Sequence, residues 1–384
     1  MTQLSDLLLF QNGINADSSK FGKGIKYISV SDILNNDFIN YSCIKGLIDI
    51  DEDAINHFSV TNGDILFQRS SETIEDIGHS NVYLDSKTAV FGGFVIRGKK
   101  ISSYHPSFLK FLLDSPNCRK QIIRLGAGAQ HYNIGQAELN SVILKLPSIG
   151  EQGKIAKLLS LMDKRIEVQR KIIEDMKSLK KAVLSIIFVK ETLKYVTLHE
   201  LIVTRQIRLI KPLELPIFSG KKVYLSTSSI DDSTNISPEA GITYNLRPSR
   251  ALMYPIKNSV WFAKMKGSVK VFLADSYAQE KYVLSSGFYG CLCISKKINH
   301  LWLREVFLSN YFNYQKDRFS EGGTMSGIKD SQLSDIRIPI FESKVHETDA
   351  VRGLGLIEER ISIEEKKSDL IISIKKYLLS NLFI

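Results

Sequence analysis

Residues Glu151–Phe188 read EQGKIAKLLSLMDKRIEVQRKIIEDMKSLKKAVLSIIF, with no proline and no glycine after Gly153. Leu159, Met162, Ile166, Ile173, Met176, Val183 and Ile187 recur three, four or seven residues apart, and charged side chains fill most of the places between. That is the apolar stripe of an amphipathic helix sustained over about five heptads, the pattern of a coiled coil. At 1.5 Å per residue it extends roughly 57 Å, more than the diameter of a small domain. A helix of that length in mid-chain reads as a spacer.

Its partner lies at the far end of the chain. Leu354, Ile357, Ile361, Ile371, Leu378 and Leu382 carry the same spacing across Leu354–Phe383. Lys180-Lys181-Ala182-Val183-Leu184-Ser185 with Phe188 returns 195 positions later as Lys375-Lys376-Tyr377-Leu378-Leu379-Ser380 with Phe383. Gln169 and Lys180 interrupt the first stripe, and Glu364 and Lys375 interrupt the second at equivalent places. Polar residues on a buried seam cost stability and fix register and partner. The matched phase predicts that the two helices pair.

The same interval runs through the rest of the chain. Leu4-Ser5-Asp6-Leu7 corresponds to Leu198-His199-Glu200-Leu201, and Tyr27–Ile33 to Tyr224–Ile230. Asp64–Arg69 matches Ser259–Lys264, and Gly93-Phe94-Val95-Ile96 is aligned with Gly290-Cys291-Leu292-Cys293. Gly128, Ile134, Leu139, Val142 and Leu144 pair with Gly322, Ile328, Leu333, Ile336 and Ile338. One register held through six blocks means two copies of one unit, each a globular domain followed by a long helix. Within each copy, Ile25–Ile33, Asp64–Gln68 and Ala89–Ile96 read as strands, and Phe108–Leu125 and Leu301–Phe319 as single helices. Strands followed by a helix, without regular alternation, predict an α+β fold.

Fifty-one Lys and Arg against 41 Asp and Glu give a net charge of +10, which points to a polyanionic partner, most often nucleic acid. Cys43, Cys118, Cys291 and Cys293 form no metal or disulfide pattern and read as small buried residues. MTQLSDLLLFQNG lacks the basic start of a signal peptide, and no apolar run is long enough for a membrane span, so no membrane partner and a cytoplasmic location are expected.

Two similar modules joined by a stiff helix suit a split ligand. On DNA that is two short sequences separated by unread bases. Candidate contacts sit in polar loops beside the strands: Gln68, Arg69, Ser70 and Ser71, then Gln130, His131, Tyr132 and Asn133 in the first half. In the second half they are Lys264, Lys266 and Lys270, Thr324, Met325 and Ser326, and Arg247, Ser249 and Arg250. These residue types pair with base edges or phosphates, and each is equally at home in an ordinary solvated loop. The halves differ most in these loops, so two modules of one fold would read two different sequences. No phosphate-binding glycine loop and no Asn-Pro-Pro-aromatic motif is present. The sole nuclease-like set is Asp335 with Glu342 and Lys344, and Ser141 and Ile149 stand at its place in the first half. A metal-dependent nuclease and a coiled-coil scaffold for protein binding are the two alternatives.

Leu146-Pro147-Ser148 with Glu151-Gln152, Ile155-Ala156, Leu159 and Asp163-Lys164-Arg165-Ile166 resembles the entry into the central conserved helix of type I restriction-modification specificity (S) subunits. Asn62-Gly63-Asp64-Ile65-Leu66, Gly126-Ala127-Gly128 with Asn133-Ile134, and Pro248-Ser249-Arg250-Ala251 are further likenesses, and the duplicated layout extends them over the chain. The resemblance implies target recognition domains at 1–147 and 191–340, with conserved helices at 148–190 and 341–384. Those helices would pair as an antiparallel coiled coil with pseudo-two-fold symmetry. The implied partners are double-stranded DNA, two methyltransferase subunits and the restriction subunits that translocate and cut. Methylation and cleavage would reside in those partners, leaving this chain non-catalytic and without a cofactor of its own. One departure is that Val345-His346-Glu347 stands where the first helix has Gly150-Glu151-Gln152.

Overall fold

The computed structural model describes residues 1–128, 131–212, 215–231, 235–237, 241–320 and 327–383. Internal contacts divide the chain into one unit of Met1–Ile172 with Glu364–Ile384 and a second of Ile173–Ile363. The first long helix spans Ile149–Phe188 and the second Lys344–Asn381, so each helix begins in one unit and ends in the other.

Each unit is built on one plan. In the first, an antiparallel sheet runs in the order Leu8–Asn12, Val95–Lys100, Ile65–Gln68, Ser80–Val82. In the second, the order is Ile207–Ile210, Phe288–Cys293, Ser259–Ala263, Val271–Leu273. A smaller sheet holds the parallel pair Phe21–Ile28 with Val90–Phe91 in the first unit, and Lys222–Leu225 with Tyr282–Ser285 in the second. The strand ribbon Thr2–Gln3 with Ile143–Leu144 joins the globular part to its helix, as Leu193–Thr197 with Arg337–Phe341 does in the second unit. The fold is a duplicated mixed α/β module followed by a long helix.

Local chemistry modifies the expected elements. Asp32 accepts from the amide and hydroxyl of Ser29, both at 2.8 Å. This Ser-x-x-Asp box starts the short helix Val30–Leu34 inside what the sequence suggested was strand. Phe108–Leu125 is two helices, Pro106–Leu113 and Pro116–Leu125, because Pro116 has no amide to continue the first and Ser115 caps the second. Its counterpart breaks at Ser309, whose hydroxyl accepts from Phe312 N at 3.1 Å. The register Gln68↔Val95 matches Ala263↔Phe288, so Val95 corresponds to Phe288. The alignment of Gly93 with Gly290 is therefore displaced by four residues, a slip that preserves strand faces and so hides in the hydrophobic pattern.

The paired halves of the long helices run antiparallel within each unit. In the first, Leu159, Met162, Leu378, Leu379 and Phe383 join the domain core, and Phe108 meets Phe383 edge-on at 5.4 Å. In the second, Val183, Leu184, Ile187 and Leu354 do the same, and Phe188 meets Trp302 at 5.8 Å. Ile166, Ile173 and Ile361 are buried, and Met176, Ile357 and Ile371 half-buried, whereas Leu382, in the last turn of the second stripe, is exposed.

The polar interruptions are paired. Gln169 donates to both the carboxylate and the carbonyl of Glu364, its own repeat equivalent. Asp163 meets Lys375 in the first unit, and Glu358 meets Lys180 at 3.6 Å in the second, each residue again 195 from its counterpart. Arg304 forks onto Glu358, and Lys180 also reaches Glu305 at 2.8 Å. At the helix starts, Gln152 accepts from His105 N at 3.0 Å and Glu347 from Asn299 N at 2.7 Å. Glu347 thus makes the bond that Gln152 makes, whatever the change of residue type.

Removing one member of a buried pair strands the other. Asp163→Ala is expected to cost ~2 kcal/mol in urea unfolding, less than for a fully enclosed pair because Lys375 keeps some solvent, and joint replacement by Leu and Met should restore most of it. Burial pushes the Glu358 carboxyl up, but the Arg304 and Lys180 charges outweigh it and hold the group below its ordinary value of 4.5. A depressed carboxylate stabilises fully above its unfolded value, and the contribution fades as pH falls through the folded one. Glu358→Gln should therefore melt lower than the parent at neutral pH, with the gap closing as melts are taken below about pH 4.5.

Candidate nucleic-acid interface

In the first unit, three loops distant in sequence converge at one end of the two inner strands of the main sheet. The strand Ile65–Gln68 runs through Arg69 into Ser70–Ser71, which pairs with Tyr132–Asn133 by Tyr132↔Ser71 and Asn133↔Ser70. Ser70 Oγ donates to Asn133 Oδ1 at 2.5 Å, and Ile134 N to Arg69 O at 3.0 Å. The third loop is the turn Gly92–Phe94, whose Phe94 carbonyl accepts from Arg69 N at 2.9 Å. Arg69 Nη1 donates to Gly93 O at 3.3 Å. The two candidate stretches, some sixty residues apart, are thus brought side by side.

Not all their side chains face outward. Gln68 is 5 % exposed, and its Nε2 donates to Ser70 O at 2.9 Å. Ser71 is buried, with its hydroxyl accepting from Thr73 N at 3.2 Å. Arg69, Ser70 and Tyr132 are half-buried, and His131 and Asn133 are exposed. Gln130 lies outside the described residues.

The second unit repeats the backbone with other side chains. Lys264 N donates to Gly287 O at 2.9 Å, and Ile328 N to Lys264 O at 3.1 Å, while Met265 bridges Gly327. Ser286 N donates to Arg250 O at 2.8 Å, which sets the Arg247–Arg250 loop beside Lys264. Lys266, Ser249 and Arg250 are exposed, Arg247 stacks 4.0 Å over the Tyr244 ring, and Lys270 donates to Thr227 O at 2.8 Å. Lys264 sits 4.1 Å over Tyr289, whose hydroxyl binds Asp330. Burial holds the Lys264 amine below its ordinary value; Asp330 opposes that shift and Arg250 adds to it. Thr324, Met325 and Ser326 lie outside the described residues.

Two supports were missed by sequence reasoning. Lys316, 1 % exposed, donates to Met265 O at 2.8 Å, and Asp317 accepts from Gly267 N at 3.0 Å, so one helix pins the Lys264–Gly267 loop. In the first unit Arg119 does similar work, donating to Glu75 O at 2.9 Å and Ile77 O at 2.7 Å. A basic residue at a core position of an amphipathic helix was the available signal. The nuclease-like set is dispersed: Asp335 and Glu342 flank the strand Arg337–Phe341, and Lys344 is taken by Glu347. At about 3.3 Å per residue the two carboxylates' backbones stand roughly 20 Å apart, too far to share a cation. Among the described residues, no group of three or more His, Cys, Asp or Glu could hold a metal, and no helix is long and apolar enough to cross a membrane.

Residues 2–178 match the family described as the type I restriction modification DNA specificity domain. Those residues, nearly half of the chain, are thus similar to a type I DNA specificity domain. It is 24 % identical over 396 aligned positions to a curated relative named as the type I restriction enzyme MjaX specificity subunit of Methanocaldococcus jannaschii, covering 98 % of this chain and 91 % of that one. The fold is similar to that of the type I restriction-modification S subunit from M. genitalium, at 15 % identity and TM-score 0.57, over 100 % of this chain and 95 % of that one. A chain solved in work on complex assembly and conformational transition of the type I R-M system is also similar, at 12 % identity and TM-score 0.59, over 98 % and 95 %.

The first surface hangs on one turn. Gly128 has φ +142°, and an added Cβ would lie 2.0 Å from His131 O. Gly128→Ala should break the bridge in which Ala127 and Asn133 exchange amides at 3.0 and 2.8 Å. Exchange of those two amide hydrogens should quicken about tenfold or more, from a local cost of the order of 1–3 kcal/mol, with the Ile65–Gln68 strand left protected.

Proposed function

We propose that this chain is the DNA-reading subunit of a type I restriction-modification assembly, each unit contacting one half of a split duplex site. The observation carrying this reading is that each unit gathers its candidate loops on the same hydrogen-bonded frame and then differs in side chain. Arg69, Ser70, His131, Tyr132 and Asn133 occupy the frame in the first unit, and Arg247, Ser249, Arg250, Lys264 and Lys266 occupy it in the second. A shared frame with unlike contacts is what two modules reading two sequences require. Gln68 and Ser71 shape the first loop from within.

The functional division is 1–147 and 191–340 for recognition, and 148–190 and 341–384 for assembly. Two methyltransferase subunits dock on the long helices, and restriction subunits join that core. Methyl transfer and cleavage occur on those partners, in the cytoplasm, and this chain contributes binding energy and address. The net charge of +10 supports a phosphate-dominated affinity.

Lys264, Lys266 and Arg250 supply the test. Replacing all three by Ala should weaken binding of the full chain to a fluorescent duplex, and each lost phosphate contact should reduce the slope of log affinity against log salt by about 0.9. An unchanged slope would remove these residues from the interface. Indifference of the parent chain to DNA at low salt would favour the protein-binding scaffold instead.

A further inference from the structure

Phe94 is 70 % exposed at the tip of the Gly92–Phe94 turn, although a phenyl ring gains most from leaving water. Its backbone is held from several sides. Gly93 N donates to Ile14 O at 2.8 Å, Val95 N to Gly92 O at 2.8 Å, and Arg69 N to the Phe94 carbonyl at 2.9 Å. Gly93 packs closely against Asn15, whose Oδ1 would lie 1.8 Å from an added Cβ and would have to move aside for one. The ring is therefore presented by a stiff support and not by a loose loop, so little order has to be lost on contact. Arg69, whose amide meets the Phe94 carbonyl, also sets its guanidinium on Gly93 O, and the next residue, Ser70, is bridged to Asn133.

An apolar tip beside a cation and hydrogen-bonding side chains fits a bent duplex, in which a wedge enters between two base pairs while the cation meets the phosphate. The second unit gives an internal contrast. Lys264 N donates to Gly287 O as Arg69 N does to Phe94 O, so the same frame carries no side chain at that point. We propose that Phe94 is an apolar wedge that unstacks one base step of the DNA bound by the first unit, a role that rests on the DNA-reading function above.

The test uses the full chain and a short duplex, intact or with one central tetrahydrofuran abasic residue, which offers a ready gap in the stack. The parent should prefer the gapped duplex by about fivefold or more, as expected for one stacked aromatic ring. Phe94→Ala should reduce that preference to near unity, and Phe94→Leu should keep part of it. Both variants should retain the parent's salt dependence and melting temperature, since the ring buries little. A parent without preference, or a preference that survives in Phe94→Ala, overturns the wedge while the salt dependence still reports DNA binding. Failure of the parent to bind either duplex at low salt overturns the wedge and the DNA-reading function together. A Phe94→Ala loss equal on both duplexes makes the ring an ordinary contact and also overturns the wedge.

Discussion

A carboxylate drawn into an apolar helix seam must meet a cation, and both units depend on that constraint. Asp163 meets Lys375 in one and Glu358 meets Lys180 in the other, with Gln169 and Glu364 bonded to each other. A seam of leucine and isoleucine alone tolerates slippage by a heptad at modest cost, because one aliphatic contact resembles the next. Slippage here would leave charges opposite hydrocarbon, which is far more costly than the pairing is favourable. The interaction specifies register more than it adds stability. It also ties each globular core to its helices, since Lys180 reaches Glu305 and Lys375 lies over the Phe111 ring.

With register fixed, the two modules are free to diverge inside the same frame. Leu66 opposes Arg97 in the first sheet, where Arg97 is buried and bonded to Gln11 at 2.8 Å. At the same strand positions the second sheet has Trp261 opposite Gly290, and a Cβ on that glycine would lie 2.5 Å from the indole. Bulk has crossed from one strand to its neighbour while the local volume is filled either way. The same freedom at the surface puts arginine or lysine, and phenylalanine or glycine, on equivalent backbone atoms. Recognition can change without the scaffold being remade.

The heptads, the repeat interval and the seam polar residues were legible in the sequence because helices write a short-range period. Elements set by one capping bond were harder. Ser29 and Asp32 turn a strand-like run into a helix, and Ser309 breaks a helix with no proline to announce it. The four-residue displacement between Gly93 and Gly290 was hidden because alternate strand residues keep their faces. The residue types singled out two candidate loops in the first half, but their meeting is a long-range strand pairing that no local pattern encodes. Burial was equally hidden: Gln68 and Lys316 are polar yet enclosed, Gln68 Nε2 donating to Ser70 O and Lys316 Nζ to Met265 O. Phe94 fell inside the expected strand Ala89–Ile96, since exposure at a turn tip leaves no periodic trace.

The small ribbons at the base of each module carry a further consequence. Leu4 N donates to Val142 O, and Leu198 N to Ile336 O, both at 2.8 Å, so the chain enters and leaves each globular part through adjacent antiparallel strands. A module whose ends meet at one doorway behaves as a cassette. Genetic exchange of everything between the two ribbon strands would insert a new reader without rethreading the fold, and a lineage could acquire new addresses by shuffling whole inserts.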